Sequence, residues 1–187
     1  MNRREAIERA YQIPGMCWPV ELGALYDLFS GSTCHIEVGS FCGRSLFTSA
    51  MALGQDAKLH VVESFTGCIG ESGSMPTPCP DWIPSVFIAT IHAIQVHRPD
   101  IEITIHRESS LEVAKKFTAK ATSIYIDANH HFAEVCADIQ AWGSHLADGG
   151  ILAGHDYWPA ERGVMEAVNL CLPSFRVIPN TRIWVAS

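Results

Sequence analysis

The stretch Cys34-His-Ile-Glu37-Val-Gly39-Ser-Phe-Cys-Gly43-Arg-Ser decides the fold. A short apolar, β-favouring run at Cys34–Val38 passes through a glycine turn straight into a helix-forming segment at 45–53. A buried strand that turns through glycine into a helix is the opening unit of a parallel sheet covered by helices. The same alternation repeats outward from it. Residues 59–63, 101–105, 123–126 and 150–153 read as further strands, and 85–97, 110–117, 132–146 and 164–172 as the helices between and after them. Phe132, Val135, Ile139, Trp142 and Leu146 recur at alternating spacings of three and four, which puts them on one helix face and marks that face as core. Near the end, 175–178 and 182–185 are strand-like around a Pro179-Asn-Thr181 turn. A parallel crossover needs about a dozen residues, so these two strands are antiparallel neighbours. The expected architecture is a three-layer α/β sandwich with a mixed seven-stranded sheet, mostly parallel, ending in an antiparallel hairpin.

Composition bounds what such a chain can be. With 187 residues, 48% hydrophobic and 18% charged, it is expected to form one domain, a helical cap at 1–30 and a core at 31–187. Pro14-Gly15 and Pro19 break the cap, which should cover one edge or face of the sheet. The net charge of -7 argues against nucleic acid and anionic membrane as partners and suits a small molecule that is neutral or cationic. Seven Cys without a C-x-x-C pair, and a charged start without an apolar leader, point to a reduced, cytoplasmic setting. The uncharged stretch 82–97 is shorter than a membrane span and contains Pro84, Ser85, His92 and Gln95, so it reads as a buried helix. Its apolar excess also makes a homodimer contact a second expectation. Residues 66–80 form a Gly, Ser and Pro-rich loop of the length that usually carries function or motion, and a Cys68–Cys79 disulfide across it is disfavoured by compartment.

In sheets of this kind ligands bind beyond the carboxyl ends of the strands. Those ends carry Glu37-Val-Gly39, Glu63, Glu108-Ser109-Ser110, Asp127 and His155-Asp156. A single acid at a strand end is ordinary solvated surface; five coincident polar ends favour a site. Gly39 and Gly43 lack the middle glycine of the dinucleotide fingerprint, and no phosphate-loop motif is present, so NAD and ATP lose ground. A glycine turn preceded by an acid suits a ligand that has no phosphates and carries positive charge. Glu63 stands where a second-strand acid accepts hydrogen bonds from ribose hydroxyls. His35, His60 and His106 read as packed or hydrogen-bonded strand residues, and Cys42 as a small filler.

Glu37-x-Gly39-x-x-x-Gly43, Glu63, Ile126-Asp127-Ala-Asn-His130-His131-Phe132, Asp138 and Gly149-Gly150-Ile-Leu-Ala-Gly154-His155-Asp156-Tyr157 together resemble the class I S-adenosylmethionine-dependent methyltransferases. Within them the chain is similar to small O-methyltransferase-like proteins with I-D-G-x-H-x-[YF] and G-G-x-x-x-x-H-D segments. The resemblance spans about residues 34–168, with departures at Ala128-Asn129 and at Glu63, where the family more often has Gly and Asp. It implies a Rossmann-like fold and S-adenosylmethionine as cofactor. It also implies a cofactor site at Glu37, Gly39, Ser40, Phe41, Gly43, Glu63, Ser109 and Asp127, and catalytic groups Asp127, His130 and Asp156 facing a small-molecule methyl acceptor. A hydroxyl acceptor loses its proton either to a base such as His130 or by coordination to a divalent ion, Mg²⁺ or Mn²⁺, on Asp127, His155 and Asp156; without the ion, His155-Asp156 is a local hydrogen-bonding pair that shapes the loop. Two further functions share these residues. One is a non-catalytic ligand-binding or interaction protein on the same fold. The other is a metal-dependent hydrolase using Asp127, His130, His131, His155 and Asp156.

Overall fold

The computed structural model describes residues 1–67 and 79–187. In chain order the elements are α1 (Arg3–Ala10), α2 (Pro19–Phe29), β1 (Cys34–Val38), α3 (Arg44–Ala52), β2 (Lys58–Val62), α4 (Trp82–His97) and β3 (Glu102–His106). They continue with α5 (Ser110–Lys116), β4 (Ala121–Ile126), α6 (Phe132–Gly143), β5 (Leu146–Gly154), α7 (Arg162–Cys171), β6 (Phe175–Val177) and β7 (Trp184–Ala186). The strands form a seven-stranded sheet in the order β3-β2-β1-β4-β5-β7-β6. The first five are parallel, and β7 runs antiparallel to both β5 and β6. The mixed sheet and terminal hairpin are therefore as the sequence leads one to expect. No helix among the described residues is long and apolar enough to cross a membrane.

Side-chain alternation along each strand sorts the core into two layers. Ile36, Val38, Ile124, Ile126 and Leu152 pack under α5, α6 and α7 through Val113, Val135, Ile139, Trp142, Val164 and Val168. On the opposite face Leu59, Val61, Tyr125, Ala153 and Val185 meet Leu22, Leu25 and Phe29 of α2, Leu46 and Phe47 of α3, and Phe87, Ile91 and Ile94 of α4. Thus the leading helices cover one face. His35 and Glu37 point into this second layer and are both fully buried. The apolar residues of α4 divide: Ile83, Phe87, Ile91 and Ile94 are buried, whereas Trp82, Ile88 and Val96 remain exposed.

One boundary differs from the sequence reading. The helix expected over 132–146 ends at Gly143, and Leu146 opens β5 opposite Ala121. Ser144 and His145 close the helix by bonding back to Ala141 and Trp142, so Leu146 keeps the apolar spacing by coincidence. Strand β5 is thereby longer than expected, with a bulge between Ala121 and Ser123 in its partner. Most of the expected 66–80 loop, Cys68 included, lies outside the described residues.

Candidate active site

Above the carboxyl edge of the sheet lies a cleft of about 320 Å³. Strand order makes it a row of stations. Glu108, Ser109, Ser110 and Leu111 follow β3; Glu63, Ser64 and Phe65 follow β2; Gly39, Ser40 and Phe41 follow β1. Asp127, Ala128, Asn129 and His130 follow β4, and His155 and Asp156 follow β5. Gly15, Met16 and Cys17, between α1 and α2, close the side. Among the residues singled out from sequence, Gly39, Ser40, Phe41, Glu63, Ser109, Asp127, His130, His155 and Asp156 all line this cleft.

The glycine loop is held from both sides. Gly39 has φ +83°, and a Cβ there would stand 2.1 Å from the Asp127 carbonyl oxygen, so only glycine lets the β1 and β4 ends approach this closely. Glu63 Oε2 accepts the N–H groups of Ser40 and Phe41, each at 2.9 Å, and Oε1 accepts that of Phe65 at 2.8 Å. Three non-glycine residues around the cleft, Phe41, Phe65 and Asp156, have φ near +50° to +58°, a conformation that carries strain and clusters at functional sites.

Two residues expected in the cofactor site stand behind the wall instead. Gly43, with φ +89°, begins the α3 turn against Thr90. Glu37 is completely buried; Oε1 accepts from Ser45 Oγ at 2.9 Å, and Oε2, 4.0 Å from His35 Nε2, has no hydrogen-bond partner. Burial pushes its carboxyl up to about 8, the nearby Glu63 charge adding to the effect and the Ser45 bond opposing it. Glu37 is thus uncharged near neutrality and supplies no negative charge to a cationic ligand, contrary to the expectation from sequence. Its neighbour His35, Nδ1 2.8 Å from Ser123 Oγ, is pushed down by burial to about 3 and is neutral as well.

This makes Glu37→Gln informative. A folded-state pKa raised from 4.5 to about 8 gives a contribution that is full below pH 4.5 and is lost as pH rises through 8. Melting curves should show the variant gaining on the wild type by about 2–4 kcal/mol between pH 5 and pH 8.5. A difference that does not move with pH would show that Glu37 is ionised in the fold.

At the other end of the row, acids and imidazoles interlock. His130 Nε2 is 3.2 Å from Asp156 Oδ2, and its Nδ1 is 3.4 Å from Glu161. His155, 3% exposed, directs Nδ1 at Asp156 (3.2 Å) and Asp127 (3.8 Å) and Nε2 at Glu21 (3.1 Å). Burial works against a charge on His155, but the surrounding acidic groups prevail and hold it well above the usual histidine range. Burial likewise raises Asp127, to about 6, with Asp156 adding to the rise and the His155 and His130 charges opposing it.

Among the described residues, donor atoms of Asp127, His130 and Asp156 converge within 4.8 Å at the cleft. The expected metal set therefore changes in one member. His155, as a cation donating from both ring nitrogens, serves the acids as a counter-charge and is a poor ligand. Cys17, Glu21 and His155 form a second close group, but Glu21 and His155 are already bonded to each other. His131 begins α6 at the exposed surface.

Sequence reading missed Cys17, Glu21, Arg182 and Arg44. Glu21, 1% exposed on α2, accepts from His155 and from the backbone N–H and Nε of Arg182. Burial alone would raise its carboxyl; these partners bring it down to about 2. Arg182, on the turn before β7, also reaches Asp156 Oδ1 at 3.2 Å and the Met16 carbonyl at 3.1 Å. The one sequence signal that could have found Glu21 is an acid inside the otherwise apolar stretch Pro19–Leu25, and it has meaning only once its distant partners are placed.

The strand order, the reversed β7 and the glycine-turn cleft at the carboxyl edge define a Rossmann-like α/β protein of the methyltransferase type. A methyltransferase-domain family model matches residues 36–157, and the chain belongs to that family. No functionally curated protein matches it. Solved structures agree on the fold. The calicheamicin methyltransferase CalS11 superposes with a TM-score of 0.65 at 16% identity, covering 89% of this chain and 77% of that one. An O-methyltransferase from Bacillus cereus in complex with SAH gives 0.66 at 14% identity, covering 97% and 90%. The SAH-bound methyltransferase PaMTH1 from Podospora anserina gives 0.67 at 10% identity, covering 98% and 85%.

Proposed function

We propose that the protein transfers a methyl group from S-adenosylmethionine to a hydroxyl of a small molecule. The observation that carries this reading is that the glycine turn after β1 and the Asp127–His130–Asp156 cluster open onto one cleft. The Bacillus cereus and Podospora anserina neighbours, both holding SAH, support the choice of cofactor, and the former's O-methyltransferase activity supports the acceptor.

The residues fit the cofactor. Gly39 leaves the close approach that a Cβ would fill. A carboxylate has about four acceptor positions and Glu63 uses three, so Oε1 keeps one for a ribose hydroxyl. Ser109, beside the buried Asp138–Ser110–Trp142 hydrogen-bond chain, flanks the adenine station. When bound, the cofactor supplies a methyl group already activated on a sulfonium. What remains for the chain is to bring the acceptor oxygen within about 3 Å of that methyl group and to take its proton. His130 is placed for the proton: it lines the cleft, with Nε2 3.2 Å from Asp156 Oδ2 and Nδ1 3.4 Å from Glu161 Oε2. Calorimetry with S-adenosylmethionine and S-adenosylhomocysteine tests the reading, and absence of binding for both would refute it. Binding without turnover on any hydroxyl acceptor would favour the non-catalytic alternative.

A divalent ion would be held by Asp127, His130 and Asp156, whose mixed oxygen and nitrogen donors suit Mn²⁺ or Mg²⁺. It would lower the pKa of a coordinated hydroxyl. Chelator-treated protein is then expected to lose methyl transfer and to regain it on addition of Mn²⁺. Full turnover in excess chelator would leave His130 alone as the base.

A further inference from the structure

A group of fully buried polar side chains lies on the sheet face covered by α2 and α3, and the chemistry of the cleft does not use it. Strand alternation sends His35 and Glu37 of β1 and Ser123 and Tyr125 of β4 to that face, where the register sets His35 beside Ser123 and Glu37 beside Tyr125. Helix α3 runs back over them. Its far end returns to the start of β1, since the Gly31 N–H bonds to the Ala52 carbonyl at 3.0 Å and the Gly54 N–H to the Ser32 carbonyl at 2.9 Å. One turn of helix, about 5.4 Å, nearly matches two residues of strand, about 6.6 Å. Ser45 donates to Glu37, so Ser49, one turn further along α3, stands over His35. Phe29 closes the group from α2, its ring centre 4.5 Å from that of His35 and 5.9 Å from that of Tyr125.

Two bonds are made inside the group, Ser45 Oγ to Glu37 Oε1 at 2.9 Å and His35 Nδ1 with Ser123 Oγ at 2.8 Å. Four polar atoms remain. His35 Nε2, Glu37 Oε2, Ser49 Oγ and Tyr125 Oη have no hydrogen-bond partner in the protein, although all four residues are 0% exposed. Buried polar atoms left in that state are costly, and four on one small patch call for a common partner. Distance fits one. His35 Nε2 and Glu37 Oε2 are 4.0 Å apart, too far for a hydrogen bond but within the roughly 5.6 Å that a water bonded at about 2.8 Å to each can span. Charge argues against an ion. Burial leaves both His35 and Glu37 uncharged near neutrality, so an ion here would have no counter-charge within the group. A water molecule, with two donors and two acceptors, can serve four such atoms at once.

We propose that His35, Glu37, Ser49 and Tyr125 bind one ordered water molecule between the sheet and α3. It holds the Glu37 carboxyl in place without an opposite charge, two residues below the Gly39 turn. The experiment is a crystal structure of the wild type together with melting curves of Tyr125→Phe and Ser49→Ala. The crystal should show one water within about 2.6–3.3 Å of at least three of the four atoms. Each variant deletes a hydroxyl and little else, so each should melt about 2–6 °C below wild type, the loss of one buried hydrogen bond. A dry site, or a water that bonds fewer than three of the atoms, would overturn the proposal. So would a variant that melts at or above wild type, because deleting an unpaired buried hydroxyl relieves a cost. A peak at metal–oxygen distances, below about 2.5 Å, would assign the place to an ion and overturn it as well.

Discussion

Asp156→Ala is expected to lower the melting temperature at pH 7 by roughly 6–15 °C, from a loss of about 3–5 kcal/mol. Asp156 Oδ1 meets His155 Nδ1 and Arg182 Nη1, both at 3.2 Å, and Oδ2 meets His130 Nε2 at 3.2 Å. Burial would raise its carboxyl, but these cationic neighbours hold it below the usual carboxylate range. Removing it strands the buried His155 cation and the half-covered Arg182 with one acid fewer, which is the costly way to break a buried pair. Asp156→Asn keeps the shape, and asparagine tolerates the φ of +58°, so its loss should be smaller. The pH dependence separates charge from packing. A depressed folded-state pKa stabilises above the unfolded value of 3.8 and ceases to do so as pH falls through the folded value. The gap between wild type and Asp156→Ala should therefore shrink below about pH 4 in thermal melts. A gap of equal size at pH 7 and pH 3 would assign the loss to packing. With a hydroxyl acceptor in hand, turnover should fall in both variants, since His130 loses the carboxylate at its Nε2.

The parts of this site that are legible in sequence are those built by local turns. A strand that ends in Gly39, Asp127 or His155-Asp156 declares its functional end within a few residues, because the sheet's geometry sends every parallel strand's carboxyl end to the same edge. What is not legible is the set of partners that give those residues their charge states. Glu21 meets His155 across 134 positions and Arg182 across 161. No periodicity or spacing rule relates residues so far apart. Glu37 shows the opposite failure. An acid two residues before the glycine turn looks like part of a cationic-ligand site, yet strand alternation puts it on the same face as His35, under α2 and α3. Both faces of a parallel sheet are covered, so an inward-pointing acid there is buried and neutral rather than exposed and charged. Cap and terminal hairpin thus do more than cover the sheet. Through Glu21 and Arg182 they set the electrostatics of Asp156, although both lie outside the stretch that the family model matches.

Gly39→Ala offers the sharpest test of the glycine turn, because two costs at this position can be told apart. One is conformational: at φ +83° an L side chain is strained by roughly 1–2 kcal/mol. The other is steric, since the new Cβ would stand 2.1 Å from the Asp127 carbonyl oxygen and 2.6 Å from Ala128 Cα, both backbone atoms that cannot rotate away. Gly31 isolates the first cost. Its φ is +80°, nearly the same, and a Cβ there would meet nothing within 4 Å. Gly31→Ala should therefore lose about 1–2 kcal/mol and leave binding of S-adenosylhomocysteine unchanged. Gly39→Ala should lose about 3 kcal/mol or more, a fall in melting temperature of roughly 6–12 °C. It must also push the β1 and β4 ends apart, moving the glycine loop relative to Asp127, and S-adenosylhomocysteine binding should weaken by about 100-fold or more. Equal losses of stability in the two variants, with binding retained in Gly39→Ala, would mean that the turn relaxes around a side chain. The close approach of β1 to β4 would then not be what shapes the cleft.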